Sequence, residues 1–155
     1  MTMDSFVEKQ CRLEDLMPLI QEQLAAGKSV RFSPRGTSML PMLRQGKDKV
    51  VLSPLPGELK KYDLPLYQRE NGQYVLHRIV DTGNTYTCTG DNQFDPETGL
   101  RREQMIALVT AFTRGQKEIP VTAWYYRLYC RIWHHTRPVR RFYHRAKNFL
   151  RRLLK

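Results

Sequence analysis

Cysteine is scarce in this chain and follows no recognised pattern. The three cysteines are Cys11, Cys88 and Cys130. An odd number at wide spacing fits neither the disulfide framework of a small secreted protein nor the C-x-x-C spacing of a zinc site. The sequence therefore indicates a reducing compartment, and we expect no metal and no cofactor.

Long uncharged apolar runs are also lacking. No run of about 18 uncharged apolar residues occurs, and the N-terminal stretch MTMDSFVEKQCRLEDLMPLIQEQLAAGK carries charges throughout, unlike a signal peptide. We therefore expect a cytoplasmic protein that reaches membranes only peripherally. With 155 residues, 41% of them apolar, the chain can still bury one core.

Acidic residues are missing from the C-terminal segment, residues 121–155, which is called the basic tail below. This segment holds ten Lys or Arg residues and no Asp or Glu, whereas the rest of the chain holds sixteen basic and fifteen acidic residues. Almost all of the formal net charge of +11 therefore belongs to the basic tail.

The apolar residues of the basic tail recur at helical spacing in two groups. The first group is Trp124, Tyr125, Leu128, Tyr129, Ile132 and Trp133. The second group is Val139, Phe142, Tyr143, Ala146, Phe149, Leu150, Leu153 and Leu154. Since Pro138 separates the groups, we predict two basic amphipathic helices joined at residues 136–138.

The composition of the basic tail favours an anionic membrane surface as its partner. Such helices lie among lipid headgroups, where each nearby basic residue adds about 1 kcal/mol of attraction and Trp and Tyr rings settle. Two alternatives remain: the apolar faces pack on the rest of the chain or pair two chains, or the basic faces bind nucleic acid, which is the least favoured. The oligomeric state is left open.

Between the N-terminus and the basic tail, the pattern changes from helix to strand. Residues 13–26 have helical apolar spacing, with Gly27 as a stop. Short apolar segments follow between turn residues: SVRFS, KVVLSP, DLPLYQ, YVLHRIV, TYTCTG and EQMIALVTAFTR. Asn71-Gly72 predicts a hairpin turn. The sequence therefore predicts a mainly β fold with helical ends, divided into a helical segment over 1–28, a β domain over 29–120 and the basic tail.

Four residues in the β domain are candidates for chemistry. Ser38, in RGTSMLPML, needs a base to accept its proton before it can act as a nucleophile. The only histidine before the basic tail is His77, in the predicted strand YVLHRIV, where a core role is the commoner one. Asp91 and Asp95, in TGDNQFDPETG, fit turn chemistry as well as catalysis.

Taken in order, RGTSMLPML, VLHRIV and TGDN resemble the successive catalytic boxes of the type I signal peptidase family, which is related to the self-cleaving repressor peptidases. The SMxP box followed by Gly46-Lys47-Asp48 is its most specific part. The family's KKGDIV box is similar to KKYDLPLY here, with Tyr62 at the glycine position. The resemblance covers about residues 29–113.

This resemblance implies a signal-peptidase-like β fold and a serine endopeptidase that removes a leader or signal segment from a peptide or preprotein, with small side chains before the cleaved bond. Ser38 matches the nucleophile, with its own amide as an oxyanion donor. His77 matches the base, which is lysine in the usual bacterial members and histidine in endoplasmic-reticulum and sporulation-type members. Asp91, with Asp95 as its rival, would orient the imidazole.

Two other functions compete with the peptidase. The same fold could hold a peptide or a membrane partner without catalysing a reaction. A DNA-linked regulator of the repressor-peptidase kind would need a helix-turn-helix, and residues 13–26 supply only one helix.

Overall fold

The computed structural model describes residues 12–154 of the chain. Residues 1–11 of the predicted N-terminal segment, Cys11 among them, and Lys155 lie outside the described residues. The helices are α1 (Leu13–Ala25), α2 (Trp124–His135) and α3 (Arg137–Leu153). The strands are β1 (Val30–Phe32), β2 (Val50–Pro54), β3 (Pro65–Gln68), β4 (Tyr74–Leu76), β5 (Arg78–Thr82), β6 (Tyr86–Thr89), β7 (Glu97–Leu100), β8 (Met105–Arg114) and β9 (Lys117–Pro120).

The strands form two antiparallel sheets that curl into a half-barrel. The first sheet has the order β1-β2-β8-β3-β4, with β9 also paired to β8. The second sheet has the order β5-β6-β7. The mainly β fold with one N-terminal and two C-terminal helices is therefore confirmed.

Helix α1 covers Leu13–Ala25, where the apolar residues have helical spacing. Met17, Ile20 and Leu24 are buried at helical spacing, which is why this segment packs on the sheet as a helix. Gly27 has a φ of 74°, a left-handed conformation that ends helices and costs glycine little. The predicted turn at Asn71-Gly72 joins β3 to β4, and Gly72 has a φ of 86°.

The prediction of YVLHRIV as one strand is wrong, because the chain leaves one sheet for the other at His77. Strand β4 pairs with β3 in the first sheet, while β5 pairs with β6 in the second. Residues 75–80 are all buried, so they lack the alternation that would indicate where a strand with one exposed face ends. His77 therefore lies at the junction of the two sheets.

Two strands were not predicted from the sequence. Strand β7 contains Thr98-Gly99, residues typical of turns, and pairs with β6. Strand β9 is short and largely exposed, and pairs with the end of β8. Both are held by pairing with a neighbour, which local propensity does not report.

The predicted apolar face of α2 is divided between the core and the surface. Tyr126 and Cys130 are buried, and Tyr129 and Trp133 are half-buried beside them. The other four members of the predicted face are 46–74% exposed: Trp124, Tyr125, Leu128 and Ile132. The prediction of a single face is wrong because aromatic residues occupy two sides of this helix, and Tyr126 marks the side that enters the core.

Helix α3 contacts the β body through its polar side. Arg140 and Arg141 donate hydrogen bonds to the loop after β6, at the Asp91 carbonyl (3.4 Å) and the Asp95 carboxylate (3.1 Å). The His144 ring lies 5.5 Å from that of Phe94, between centroids. The apolar residues therefore point away from the body. No helix in residues 12–154 combines the length and apolarity needed to cross a bilayer.

Candidate active site

The loop that carries Ser38 is anchored by a buried carboxylate. Asp48 is 0% exposed and accepts hydrogen bonds from the Arg44 amide and guanidinium at 2.8–2.9 Å. These bonds hold the pKa of Asp48 below its usual value although burial opposes the shift. Arg114 of β8 donates to the Met42 carbonyl at 2.8 Å and thereby ties the same loop to the first sheet.

The segment Gly90-Asp91-Asn92 holds Ser38 from the other side. The Asn92 amide donates to the Ser38 carbonyl at 2.8 Å, and the Asn92 side chain donates to the Thr37 carbonyl at 3.1 Å. Gly90 lies so close that a Cβ atom there would be 2.5 Å from the Ser38 carbonyl oxygen. Only glycine fits this approach without a backbone shift. Two sequence motifs, GKD and GDN, thus fix the backbone of Ser38.

Ser38 and His77 line the same cavity, which has a volume of about 260 Å³. Strand β4 borders it on one side, and Arg69, Gln73 and Gln93 contribute polar groups. Ser38 is half-buried. Within the part of the chain that the structure describes, neither its hydroxyl nor its amide makes a hydrogen bond. Both groups are therefore available to a molecule that enters the cavity.

His77 is held neutral by its surroundings. It is 5% exposed, and burial together with the positive charge of Arg69 lowers its pKa to about 4, against the opposing effects of Glu97 and Asp91. The Tyr67 hydroxyl lies 3.4 Å from His77 Nδ1. An imidazole with this pKa carries no charge at pH 7 and keeps a lone pair that can accept a proton.

Behind His77 lies a chain of hydrogen bonds that the sequence did not reveal. The Tyr67 hydroxyl donates to Glu97 Oε2 at 2.8 Å. Arg69 holds the same carboxylate, from Nε to Oε1 at 2.9 Å and from Nη2 to Oε2 at 2.9 Å. Although partial burial alone would raise it, the pKa of Glu97 is lowered by the hydrogen bonds from Arg69 and Tyr67. A carboxylate is thus connected to the imidazole through a phenol.

Asp91 does not bond to His77, contrary to the expectation that it orients the imidazole. It is the counterion of the neighbouring Arg78: Nε donates to Oδ1 and Nη2 donates to Oδ2, both at 2.8 Å. The Tyr129 hydroxyl of α2 donates to the same Oδ2 at 2.9 Å. Arg78 and Asp91 are 2% and 4% exposed, so this is a buried ion pair. Its carboxylate is occupied by partners on the side of α2.

Asp95, the rival of Asp91, lies outside the cavity. Its side chain is 88% exposed and pairs with Arg141 of α3. Ser38 and His77 are therefore the two predicted site residues that the fold brings to one cavity, and the two aspartates do not line it. The catalytic roles of all four residues stay predictions.

The sequence carried little signal for Tyr67 and Glu97. Tyr67 lies in strand β3 beside buried Pro65 and Leu66, and Glu97 follows Pro96 in a segment rich in turn residues. They are 30 positions apart, and their contact depends on how the two sheets meet. A buried tyrosine does indicate a polar partner for its hydroxyl, which is the one signal available.

Comparison of the chain with protein-family models, with curated proteins and with solved structures gives no match. The resemblance to type I signal peptidases therefore rests on the motif residues alone.

Proposed function

We propose that the protein is a serine endopeptidase with a signal-peptidase-like β fold, in which Ser38 is the nucleophile and His77 the general base. The observation that carries this proposal is the cavity that the two residues share, although they lie 39 positions apart in the chain. A serine hydroxyl without a hydrogen-bond partner in residues 12–154, in the same cavity as a neutral imidazole, has the groups that acyl transfer requires.

The reaction follows from these groups. Ser38 Oγ attacks the carbonyl carbon of a bound peptide while His77 accepts the hydroxyl proton. The Ser38 amide, which makes no hydrogen bond within residues 12–154, would stabilise the oxyanion. The C–N bond then breaks as the imidazolium gives its proton to the leaving amine, and water, deprotonated by His77, hydrolyses the acyl-enzyme.

The backbone at two of the motif positions is consistent with the family resemblance. Tyr62 occupies the position of the glycine in the family's KKGDIV box, and it has a φ of 77°, a left-handed conformation that glycine adopts without strain. The glycine of the GDN box is required by its close approach to Ser38. These positions thus have the backbone geometry that the motif's residue types imply.

An extended peptide is the substrate that the cavity favours. Strand β4 is the last strand of the first sheet and borders the cavity with Tyr74, Val75 and Leu76. A peptide can therefore add to its free edge with its scissile bond near Ser38. A leader or signal segment, which is unfolded before cleavage, meets this requirement.

We place this activity at an anionic membrane surface because of helix α3. Its apolar residues cover roughly 120° of the helix, and they are 57–75% exposed: Val139, Phe142, Tyr143, Phe149, Leu150 and Leu153. The rest of the circumference is mainly basic, and the basic tail has no acidic residue. Self-association would bring ten positive charges against ten others, and nucleic acid would leave the apolar residues exposed. An anionic bilayer satisfies both faces.

Labelling and cleavage test the enzyme. We expect a serine-directed fluorophosphonate to modify Ser38 in the wild type, and the wild type to cut peptides in a mixture. The control is Ser29→Ala, which removes an exposed hydroxyl just before β1 and outside the cavity and should behave like the wild type. Ser38→Ala and His77→Gln should abolish both. Labelling and cleavage that persist in Ser38→Ala would refute the enzyme, and peptide binding without cleavage would favour the non-catalytic module.

Vesicle co-sedimentation tests the location. We expect binding to vesicles rich in phosphatidylglycerol, none to phosphatidylcholine vesicles, and loss of binding in Phe142→Ser/Phe149→Ser. The control is Leu19→Ser, which removes an apolar residue of α1 that is 54% exposed. A dimer in sedimentation velocity without vesicle binding would contradict the proposed membrane association. A salt-sensitive shift of DNA in a gel would contradict it as well.

A further inference from the structure

We propose that Glu97, acting through the hydroxyl of Tyr67, is the positioning residue of His77, in the role that an aspartate has in a Ser-His-Asp arrangement. This inference rests on the proposed function, because His77 needs a fixed tautomer only if it acts as a base. It also explains why Asp91 can be committed to Arg78 in the same site.

The hydrogen-bond chain fixes which imidazole nitrogen carries the proton. A tyrosine hydroxyl has one proton, and here it is donated to Glu97 Oε2, because a carboxylate can only accept. The Tyr67 oxygen can therefore only accept from His77 Nδ1. Nδ1 must then hold the imidazole proton, which leaves the lone pair on Nε2. That is the tautomer in which His77 can take the proton of Ser38.

The same chain stabilises the charge that appears during the reaction. When His77 accepts a proton, the imidazolium donates from Nδ1 to the Tyr67 oxygen, whose own proton points to the carboxylate of Glu97. The charged groups that face His77 are Arg69 just after β3, Glu97 on β7 and Asp91 after β6. Arg69 disfavours the imidazolium, and the two carboxylates favour it. Glu97 is the carboxylate with a hydrogen-bonded connection to the ring.

Glu97→Gln keeps the shape and removes the negative charge. Arg69 donates to both oxygens of this carboxylate, so either orientation of a glutamine amide turns its NH2 group towards a donor. The proton of Tyr67 is then no longer held by a charged acceptor, and the proton on His77 Nδ1 is no longer fixed. Tyr67→Phe removes the connection altogether while keeping the buried ring. Glu70→Gln, which changes a neighbouring exposed carboxylate, is the control.

The experiment combines the rate of fluorophosphonate labelling at Ser38, measured against pH, with 15N NMR of the imidazole. We expect Glu97→Gln and Tyr67→Phe to label about 10²-fold more slowly, and Glu70→Gln at the wild-type rate. In Glu97→Gln the acid limb of the labelling rate should move to lower pH, because the lost negative charge lowers the pKa of His77. NMR should report a protonated Nδ1 in the wild type and a larger Nε2-protonated population in Glu97→Gln and Tyr67→Phe.

Failure of this inference differs from failure of the proposed function. If wild type labels at Ser38 and Glu97→Gln keeps its rate, its acid limb and its tautomer, Glu97 has no positioning role although the peptidase stands. If Ser38 is not labelled even in the wild type, the proposed function fails. The NMR measurement of the His77 tautomer then still tests the hydrogen-bond chain, because a proton on Nε2 in the wild type would contradict it. Circular dichroism and thermal unfolding of each variant show whether a slow variant is folded.

Discussion

Removal of the Asp91 carboxylate should destabilise the whole protein. Asp91→Ala leaves the guanidinium of Arg78, 3% exposed as a side chain, without its counterion and deprives Tyr129 of its acceptor. Breaking a buried ion pair by removing one partner costs about 3–5 kcal/mol. Since domains have about 5–15 kcal/mol of stability in total, the loss should take a fifth of it or more.

Urea unfolding measures this effect. With a slope of about 2 kcal/mol per M, the midpoint of Asp91→Ala should fall by about 2 M. The indole of Trp133 donates to the Asp91 carbonyl at 2.7 Å, so tryptophan fluorescence follows the contact of α2 while circular dichroism follows the sheets. Asp81→Ala, which removes an exposed carboxylate of β5, should stay within about 0.5 kcal/mol of wild type.

Replacing both charges separates the ion pair from the packing. In Arg78→Met/Asp91→Leu no buried charge is left uncompensated, so this variant should be more stable than Asp91→Ala. An unfolding free energy of Asp91→Ala within about 1 kcal/mol of that of the wild type would refute the ion-pair argument. Unchanged stability with lost labelling of Ser38 would restore Asp91 as a catalytic residue.

Three further predictions follow from named contacts. Gly90→Ala should lower the free energy of unfolding by about 1–3 kcal/mol and abolish labelling of Ser38, because the new Cβ would lie 2.5 Å from the Ser38 carbonyl oxygen. Normal labelling would show that the backbone of Ser38 does not depend on this close approach. His77 has a pKa of about 4 in the folded protein and 6.5 when exposed, so between these pH values the unfolded chain binds more protons. The free energy of unfolding should therefore fall by about 2 kcal/mol from pH 7 to pH 5. His77→Gln should not show this part of the pH dependence. Cys88, whose pKa burial raises to about 12, and buried Cys130 should react with a thiol reagent only on unfolding, as peptide mass mapping would show; rapid native labelling would contradict their burial.

The sequence was most informative where a segment has one buried face or a turn of fixed chemistry. Helix α1, strand β8 and the turn at Asn71-Gly72 lie where apolar spacing and turn residues predicted them. The break at His77 could not be predicted, because residues 75–80 are all buried and show no alternation of apolar and polar residues whose end would mark a strand boundary. Its position depends on where two sheets meet, which is a tertiary property.

The candidate site was predicted in part for the same reason. Ser38 and His77 lie in short motifs, and the fold brings them to one cavity. The group on His77 Nδ1 is a tyrosine from one sheet, held by a glutamate from the other. Asp91 was the expected group because acidic residues near GDN fit a family pattern. Arg78, which follows His77 in the sequence, could however form an ion pair with the same carboxylate. Only the fold decides which of the two does.

The dependence of this body on helix α2 has a consequence for the order of events during synthesis. Tyr126 and Cys130 fill the core, and Tyr129 completes the environment of Asp91, whose neighbours Gly90 and Asn92 grip the backbone of Ser38. At about 5–20 residues per second, several seconds separate the translation of Asn92 from that of residue 135. During this interval the ion pair of Arg78 and Asp91 lacks its contacts with helix α2. In the proposed peptidase, the backbone of Ser38 would therefore reach its final geometry only after helix α2 has been translated.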